Sequence, residues 1–184
     1  MRKTAFLLLT AFMLVPAAMF GDSYSKLWKQ VDEAANKDLP KTQIQLLQTI
    51  ADKAEAGGDY GHLLKAETCM ASVWYSISPD SLPPRLARLE DKAEACSKSD
   101  GALSAVYYAA LGKIYSSYRN FSPYAAVGID NSAKAAEFFR KSLADPALLA
   151  SKKALCYEPF VVKGRDGKYF NDDLLSLIGY TAED

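Results

Sequence analysis

The sequence predicts an all-α fold of stacked antiparallel helical hairpins, a tetratricopeptide-like α-solenoid with a short extended or hairpin segment near the C-terminus. Three observations carry that expectation. Apolar residues recur at three-to-four spacing through most of the chain after Asp22. Pro, Gly, Asp and Ser clusters interrupt the pattern at intervals suited to short helices. The pentapeptide Asp52-Lys53-Ala54-Glu55-Ala56 returns as Asp91-Lys92-Ala93-Glu94-Ala95, a spacing of about forty residues, which suits stacked helix pairs. The tight consensus of the tetratricopeptide repeat is absent, so the match is to architecture. An irregular helical bundle is the competing arrangement.

The elements follow in order. Leu27, Val31 and Ala34 or Ala35 mark a first helix, with Trp28 beside the stripe. Lys37-Asp38-Leu39-Pro40 breaks it, and Pro40 is placed to begin the second. Ile44, Leu47, Ile50 or Ala51, and Ala54 continue that helix until Gly57-Gly58, and Asp59 can cap the third. Leu63, Ala66, Met70, Val73 and Ile77 form the third stripe. Pro83-Pro84 opens a fourth helix with Leu86, Leu89, Ala93 and Cys96. Ser99-Asp100-Gly101 precedes a fifth, read from Leu103, Tyr107, Ala110 or Leu111, Ile114 and Tyr118. A turn-rich loop is expected over residues 120–131. Ala136, Phe139 and Leu143 indicate a sixth helix, and Asp145-Pro146 opens a short seventh.

Strand signals are sparse. Phe160-Val161-Val162 and Lys168-Tyr169-Phe170 flank Asp166-Gly167 and suit an extended loop or small hairpin. Asn171 or Asp172 is expected to cap a last helix through Leu174 and Ile178. Because solenoid ends expose apolar faces, that helix is expected to be loosely held.

The N-terminus has a different character. Arg2 and Lys3 precede an apolar run over residues 5–15, with no charge until Asp22. The run is too short for a membrane span and suits a signal peptide over residues 1–21. Small residues at Ala17, Ala18 and Gly21 offer cleavage points, and the helical domain then covers residues 22–184. The expected location is periplasm, cell envelope or extracellular space, with no membrane span after processing. The chain holds 22 basic and 22 acidic residues, so losing Arg2 and Lys3 leaves a slight negative excess. No basic patch points to nucleic acid.

Chemistry-bearing motifs are lacking. His62 is the only histidine. Cys69 lies two turns along the same helix, about 10 Å away at 1.5 Å rise per residue, too far for proton transfer. No Cys/His set has zinc spacing, and no phosphate loop, nucleophile elbow or His-Glu-x-x-His run occurs. Glu90-Asp91 and Asp172-Asp173 are neighbours that point to different sides of a helix. Arg165-Asp166-Gly167 reads as an Asp-Gly turn. An odd count of three cysteines leaves at least one thiol unpaired, and Cys69–Cys96 is the one pairing considered. No catalytic, cofactor or metal residue is therefore assigned. Trp28, Trp74, Tyr75, Tyr108 and Tyr115 fall on or beside apolar stripes and are candidates for a concave surface that takes a protein partner.

One resemblance adds a functional expectation. The stretches Leu27-Trp28-Lys29-Gln30-Val31-Asp32-Glu33-Ala34, Asp38-Leu39-Pro40-Lys41-Thr42 and Asp59-Tyr60-Gly61-His62-Leu63-Leu64-Lys65-Ala66 form the first part. The tail from Tyr157-Glu158-Pro159-Phe160 through Lys168-Tyr169-Phe170-Asn171-Asp172-Asp173-Leu174-Leu175-Ser176-Leu177-Ile178-Gly179-Tyr180 is the second. Together they resemble the N-terminal helical region of bacterial, Bacteroides-type alpha-2-macroglobulin-like proteins. The resemblance implies a non-catalytic leading module of an exported protease inhibitor, whose partners are macroglobulin-like β-sandwich domains. The family's Cys-x-Glu-Gln thioester has no counterpart at Cys69, Cys96 or Cys156, so no trapping residue carries over. A truncated reading frame, a fragment and a stand-alone paralogue are the expectations for a chain ending at Asp184. An independent tetratricopeptide-like adaptor is the alternative.

The leader makes a direct prediction. Mass spectrometry of the protein recovered from the cell envelope or medium should find its N-terminus between Ala17 and Asp22. Recovery of the chain beginning at Met1 would remove the export reading.

Overall fold

Helix dominates the computed structural model, which describes residues 23–117, 131–162, 164 and 171–183. Eight α-helices occur among them: α1 Tyr24–Asn36, α2 Pro40–Gly57, α3 Tyr60–Ile77, α4 Leu82–Cys96, α5 Gly101–Ser117, α6 Asn131–Ser142, α7 Pro146–Ala150 and α8 Leu174–Glu183. The signal segment, most of the expected loop, and the Asp166-Gly167 and Lys168-Tyr169-Phe170 part of the expected hairpin lie outside the described residues.

Local chemistry sets most boundaries. Ser23 accepts from the Lys26 N–H at the start of α1. Pro40 occupies the first turn of α2, where its missing N–H costs nothing. Gly58 closes α2 in the left-handed region, with φ 67°, and returns its N–H to α2 carbonyls. Asp59 precedes α3 but its side chain makes no capping bond. Asp100 accepts from Leu103 N–H at 3.0 Å, and Asp145 from Leu148 N–H at 2.9 Å. The cap of α8 is Asp173, which accepts from Ser176 N–H at 2.7 Å, rather than Asn171 or Asp172. A single antiparallel bridge pairs Lys153 with Asp173, through Ala154 N–H to Asp172 O and Leu174 N–H to Lys152 O. That bridge fixes the register at which the cap forms. No strand occurs among the described residues: Phe160 lies in a turn, Val161 in a bend, and Val162 in irregular backbone.

Two apolar clusters divide the molecule. The first joins α1, α2 and α3 through Leu27, Val31, Leu47, Ile50, Leu63 and Met70. The second gathers around α5 and draws on α3, α4, α6, α7 and α8. Helix α3 serves both. Leu63, Ala66 and Met70 face the first cluster, whereas Leu64 and Ala71 face the second.

Helix α5 differs from the stripe expected of it. Every residue from Ala102 to Gly112 is buried. A helix apolar on all sides belongs inside, with neighbours on all sides. It packs against α4 and α6, and also against α3, α7 and α8. The arrangement thus includes contacts beyond those between successive helices. Ser104 Oγ–H donates to Ala93 O at 2.7 Å, joining α5 to the last turn of α4. Gly112 lets α6 approach, because a Cβ there would sit 2.9 Å from the Phe139 ring.

The face of α6 is rotated by one residue from expectation. Ala135, Phe138 and Ser142 are buried, while Ala136 is exposed and Phe139 and Leu143 are half-buried. Tyr108 and Tyr115 on α5 both meet Phe138 and so select that face. Lys134 and Lys141 flank the same ring and pair with Glu137 and with Glu90 of α4.

The last helix is also more firmly seated than expected. Leu174 and Ile178 are buried in the α5 cluster. Instead of ending an open stack, α8 lies against α5, α6 and α7.

Gly61 marks the tightest approach between chain segments. A Cβ on Gly61 would fall 1.9 Å from Glu158 O and 2.7 Å from Tyr157 C, both backbone atoms. Gly61→Ala should therefore lower unfolding free energy by about 2 kcal/mol or more, by overpacking. Gly57→Ala, with nothing within 4 Å, should change it by less than about 1 kcal/mol and in the stabilising direction. Urea unfolding of the two variants checks both; equal stability would refute the Gly61 contact.

Candidate interaction surface

The five aromatic residues singled out in the sequence do not share one face. Trp28 is half-buried on α1 beside α3, and Trp74 lies near the end of α3 under Arg85 of α4. Tyr75 is half-buried against the second cluster. Tyr108 is only 8% exposed and stacks on Phe138, with centroids 6.0 Å apart. Tyr115 meets the same Phe138 ring at 5.5 Å. Tyr108 and Tyr115 are thus mainly packing residues, because Phe138 covers them.

Around Trp28 a second group assembles that spacing alone did not reveal. The Trp28 indole N–H donates to His62 Nδ1 at 2.9 Å. Tyr24 stacks on the imidazole at 3.7 Å between centroids. Lys53 lies over the Tyr24 ring at 4.9 Å, and Lys65 over Trp28 at 4.4 Å. Indole nitrogen only donates, so Nδ1 must be unprotonated and the proton of the neutral ring sits on Nε2. Burial lowers the His62 pKa, Asp59 opposes that, and Lys65 and Lys53 add to it. The group joins α1 to α3 and holds His62 in its neutral form.

A polar seam crosses the middle of the molecule. Lys92 of α4 pairs with Glu67 of α3 and with Glu55 of α2. Tyr107 of α5 donates to the second oxygen of Glu67 at 3.0 Å. Burial, then the Glu67 charge, pushes the Tyr107 hydroxyl far above its ordinary pKa. Each charge in the seam thus has a partner from another helix, the condition for keeping it away from water.

The thiols are unbonded. Cys69 packs with the first cluster and Cys96 with the second, on different helices. Burial raises both thiol pKa values, the reverse of nucleophile activation. Among the described residues no set of His, Cys, Asp and Glu has metal-binding geometry. No described helix is long and apolar enough to cross a membrane.

Several concavities open on the surface formed by the described residues. One, about 840 Å³, runs across α4, α5, α6 and α7 and is lined by Glu94, Lys98, Ser104, Tyr108, Lys141 and Asp145 among others. Tyr108 is the one predicted aromatic that contributes to it. A second, about 180 Å³, lies between α2, α3 and α4. A third, about 220 Å³ and mostly apolar, is bounded by α5, α8 and the segment Phe160-Val161-Val162. No family model, curated protein or solved structure matches this chain.

The His62 group makes stability depend on pH. Its folded-state pKa lies below the ordinary 6.5, so below that pH the unfolded chain binds more protons than the folded one. Its contribution is present above about pH 6.5 and is lost as pH falls through the folded pKa. Melting temperature should fall between about pH 7 and pH 5, and His62→Gln should flatten that slope. An unchanged slope in the variant would show that other groups carry it.

Proposed function

We propose that this chain is a non-catalytic helical interaction module, built of tetratricopeptide-like stacked hairpins, that receives a segment of a protein partner. The observation that carries this reading is the groove of about 840 Å³ across α4 to α7. It is walled by helices from the second hairpin and the elements after it. Its lining combines the edge of Tyr108 with Lys98, Lys141, Glu94 and Asp145, a mixture of apolar and charged surface that suits a polypeptide. The raised thiol pKa values of half-buried Cys69 and Cys96 and the neutral, stacked histidine support a binding role over a catalytic one.

The resemblance to the leading helical region of alpha-2-macroglobulin-like proteins makes the partner the β-sandwich region of such a protein. The module then works outside the cytoplasm, after its leader is removed. An independent envelope adaptor is the second reading. It is favoured by the hairpin echo, in which Ala54 and Ala93 occupy matching positions near the ends of α2 and α4 and are both fully buried.

Titration of the chain with a purified macroglobulin-like β-sandwich region tests the first reading. Saturable binding is expected, weakened about tenfold by Lys98→Glu together with Lys141→Ala. Absence of binding would leave the adaptor reading in its place. Binding that ignores both substitutions would remove the groove from the account.

A further inference from the structure

The concavity between α2, α3 and α4 carries three acidic and three basic side chains, and they are unevenly paired. Asp52 and Glu55 from α2 and Glu67 from α3 stand on one side. Arg85, Arg88 and Lys92 stand on the other, spaced along one face of α4. Lys92 is occupied by Glu67 and Glu55. Asp52 accepts from Gln48 Nε2 at 2.7 Å. Among the described residues, Arg85 and Arg88 have no carboxylate partner.

Arg85 is nevertheless held in place. Its guanidinium lies over the Trp74 ring at 4.2 Å, and its Nε is shielded from solvent without an acceptor. Desolvation and the neighbouring Arg88 charge both disfavour its protonated form. Two guanidinium groups three residues apart on a concave wall, one of them stacked on an indole ring, form a site that an oxyanion would stabilise.

We propose that this concavity binds a single carboxylate of an acidic peptide segment, held between Arg85 and Arg88. A carboxylate fits better than a phosphate. The three acidic groups facing α4 repel a dianion more strongly than a monoanion, and a space of about 180 Å³ suits one side chain. Trp74 does not line the concavity itself, but its ring lies beneath the Arg85 guanidinium and favours one placement of the fork. The carboxylate comes from an Asp or Glu side chain or from a chain terminus. This site is lined by different residues from the α4–α7 groove, so it stands or falls independently of that groove.

Trp74 is a built-in reporter, since the chain has only two tryptophans. The full chain carrying Trp28→Phe is titrated with acetyl-Ala-Glu-Ala-amide, with acetyl-Ala-Ala-Ala bearing a free carboxylate, and with acetyl-Ala-Gln-Ala-amide. A saturable change in Trp74 fluorescence is expected with the Glu peptide, the free-terminus peptide or both, and which one responds identifies the source. The Gln peptide should give none. Arg88→Gln should weaken the response about tenfold, as loss of a charge-assisted hydrogen bond does, and added salt should weaken it further. Calorimetric titration of the unaltered chain repeats the measurement without the Trp28 change. Equal response to Glu and Gln peptides, no saturation with either acid in both measurements, or full binding in Arg88→Gln would overturn the proposal.

Discussion

Everything in the second half of the molecule depends on the complete burial of α5. Eleven successive residues of that helix, Ala102 to Gly112, are withdrawn from water. Burial of one large apolar side chain contributes about 1.5–3 kcal/mol, so Leu103, Val106 and Leu111 alone require neighbours on several sides. Small residues make those neighbours possible. Ala105 and Ala109 keep the helix narrow, and Gly112 admits the Phe139 ring at the α6 crossing. Helices α4 and α6 cover two sides, and α8 returns from the end of the chain to cover a third. The seating of α8 is a consequence of this demand, and the Lys153–Asp173 bridge delivers it at the right register.

Helix α3 transmits the same constraint to the first half. Its two apolar faces belong to different clusters, and Glu67 lies on the helix that separates them. A carboxylate there, with its side chain 12% exposed, needs cationic or hydrogen-bonding partners. Lys92 and Tyr107 supply them from α4 and α5. The seam therefore relates three helices through directional bonds, whereas apolar packing alone tolerates sliding. Lys92 also reaches Glu55, so the second copy of the repeated pentapeptide contacts the first. Its counterpart Lys53 faces the Tyr24 ring instead. The two copies share a buried alanine and a helix position but differ in what surrounds them.

Much of the fold was legible from residue spacing. The stripes of α1, α2 and α4 are buried nearly as read, because each of these helices has one covered side and one wet side. The stripe fails where that condition fails. In α5 every face is covered, so periodicity carries no information about which neighbour lies where. In α6 the register moved by one residue because Tyr108 and Tyr115 draw Phe138 inward, a contact between residues more than twenty positions apart in sequence. The Asp173 cap was missed because a backbone bridge to Lys153 decides where α8 begins. The candidate surface was less legible still. Aromatics beside a stripe look alike in sequence, whether covered like Tyr108 or stacked under a guanidinium like Trp74. His62 had no partner at helical spacing, and its indole donor lies 34 positions earlier.

The distribution of charge distinguishes the polar features by what they do. Where the structure must keep an ionisable group in place, it supplies the partner from within: Glu67 has Lys92 and Tyr107, and Glu137 has Lys134 and Lys141. His62 is instead kept neutral, between an aromatic ring and an indole donor. Against that pattern, Arg85 and Arg88 stand apart. A guanidinium stacked on Trp74 has already lost part of its hydration and rotational freedom, so an incoming carboxylate meets a donor that is partly desolvated and oriented. A solvated lysine on an open helix face offers no such advantage. Packing around α5 explains the shape of this molecule, and the seam at Glu67 explains how its halves are joined. The arginine pair is explained by neither, which is the physical reason to look for its partner outside the chain.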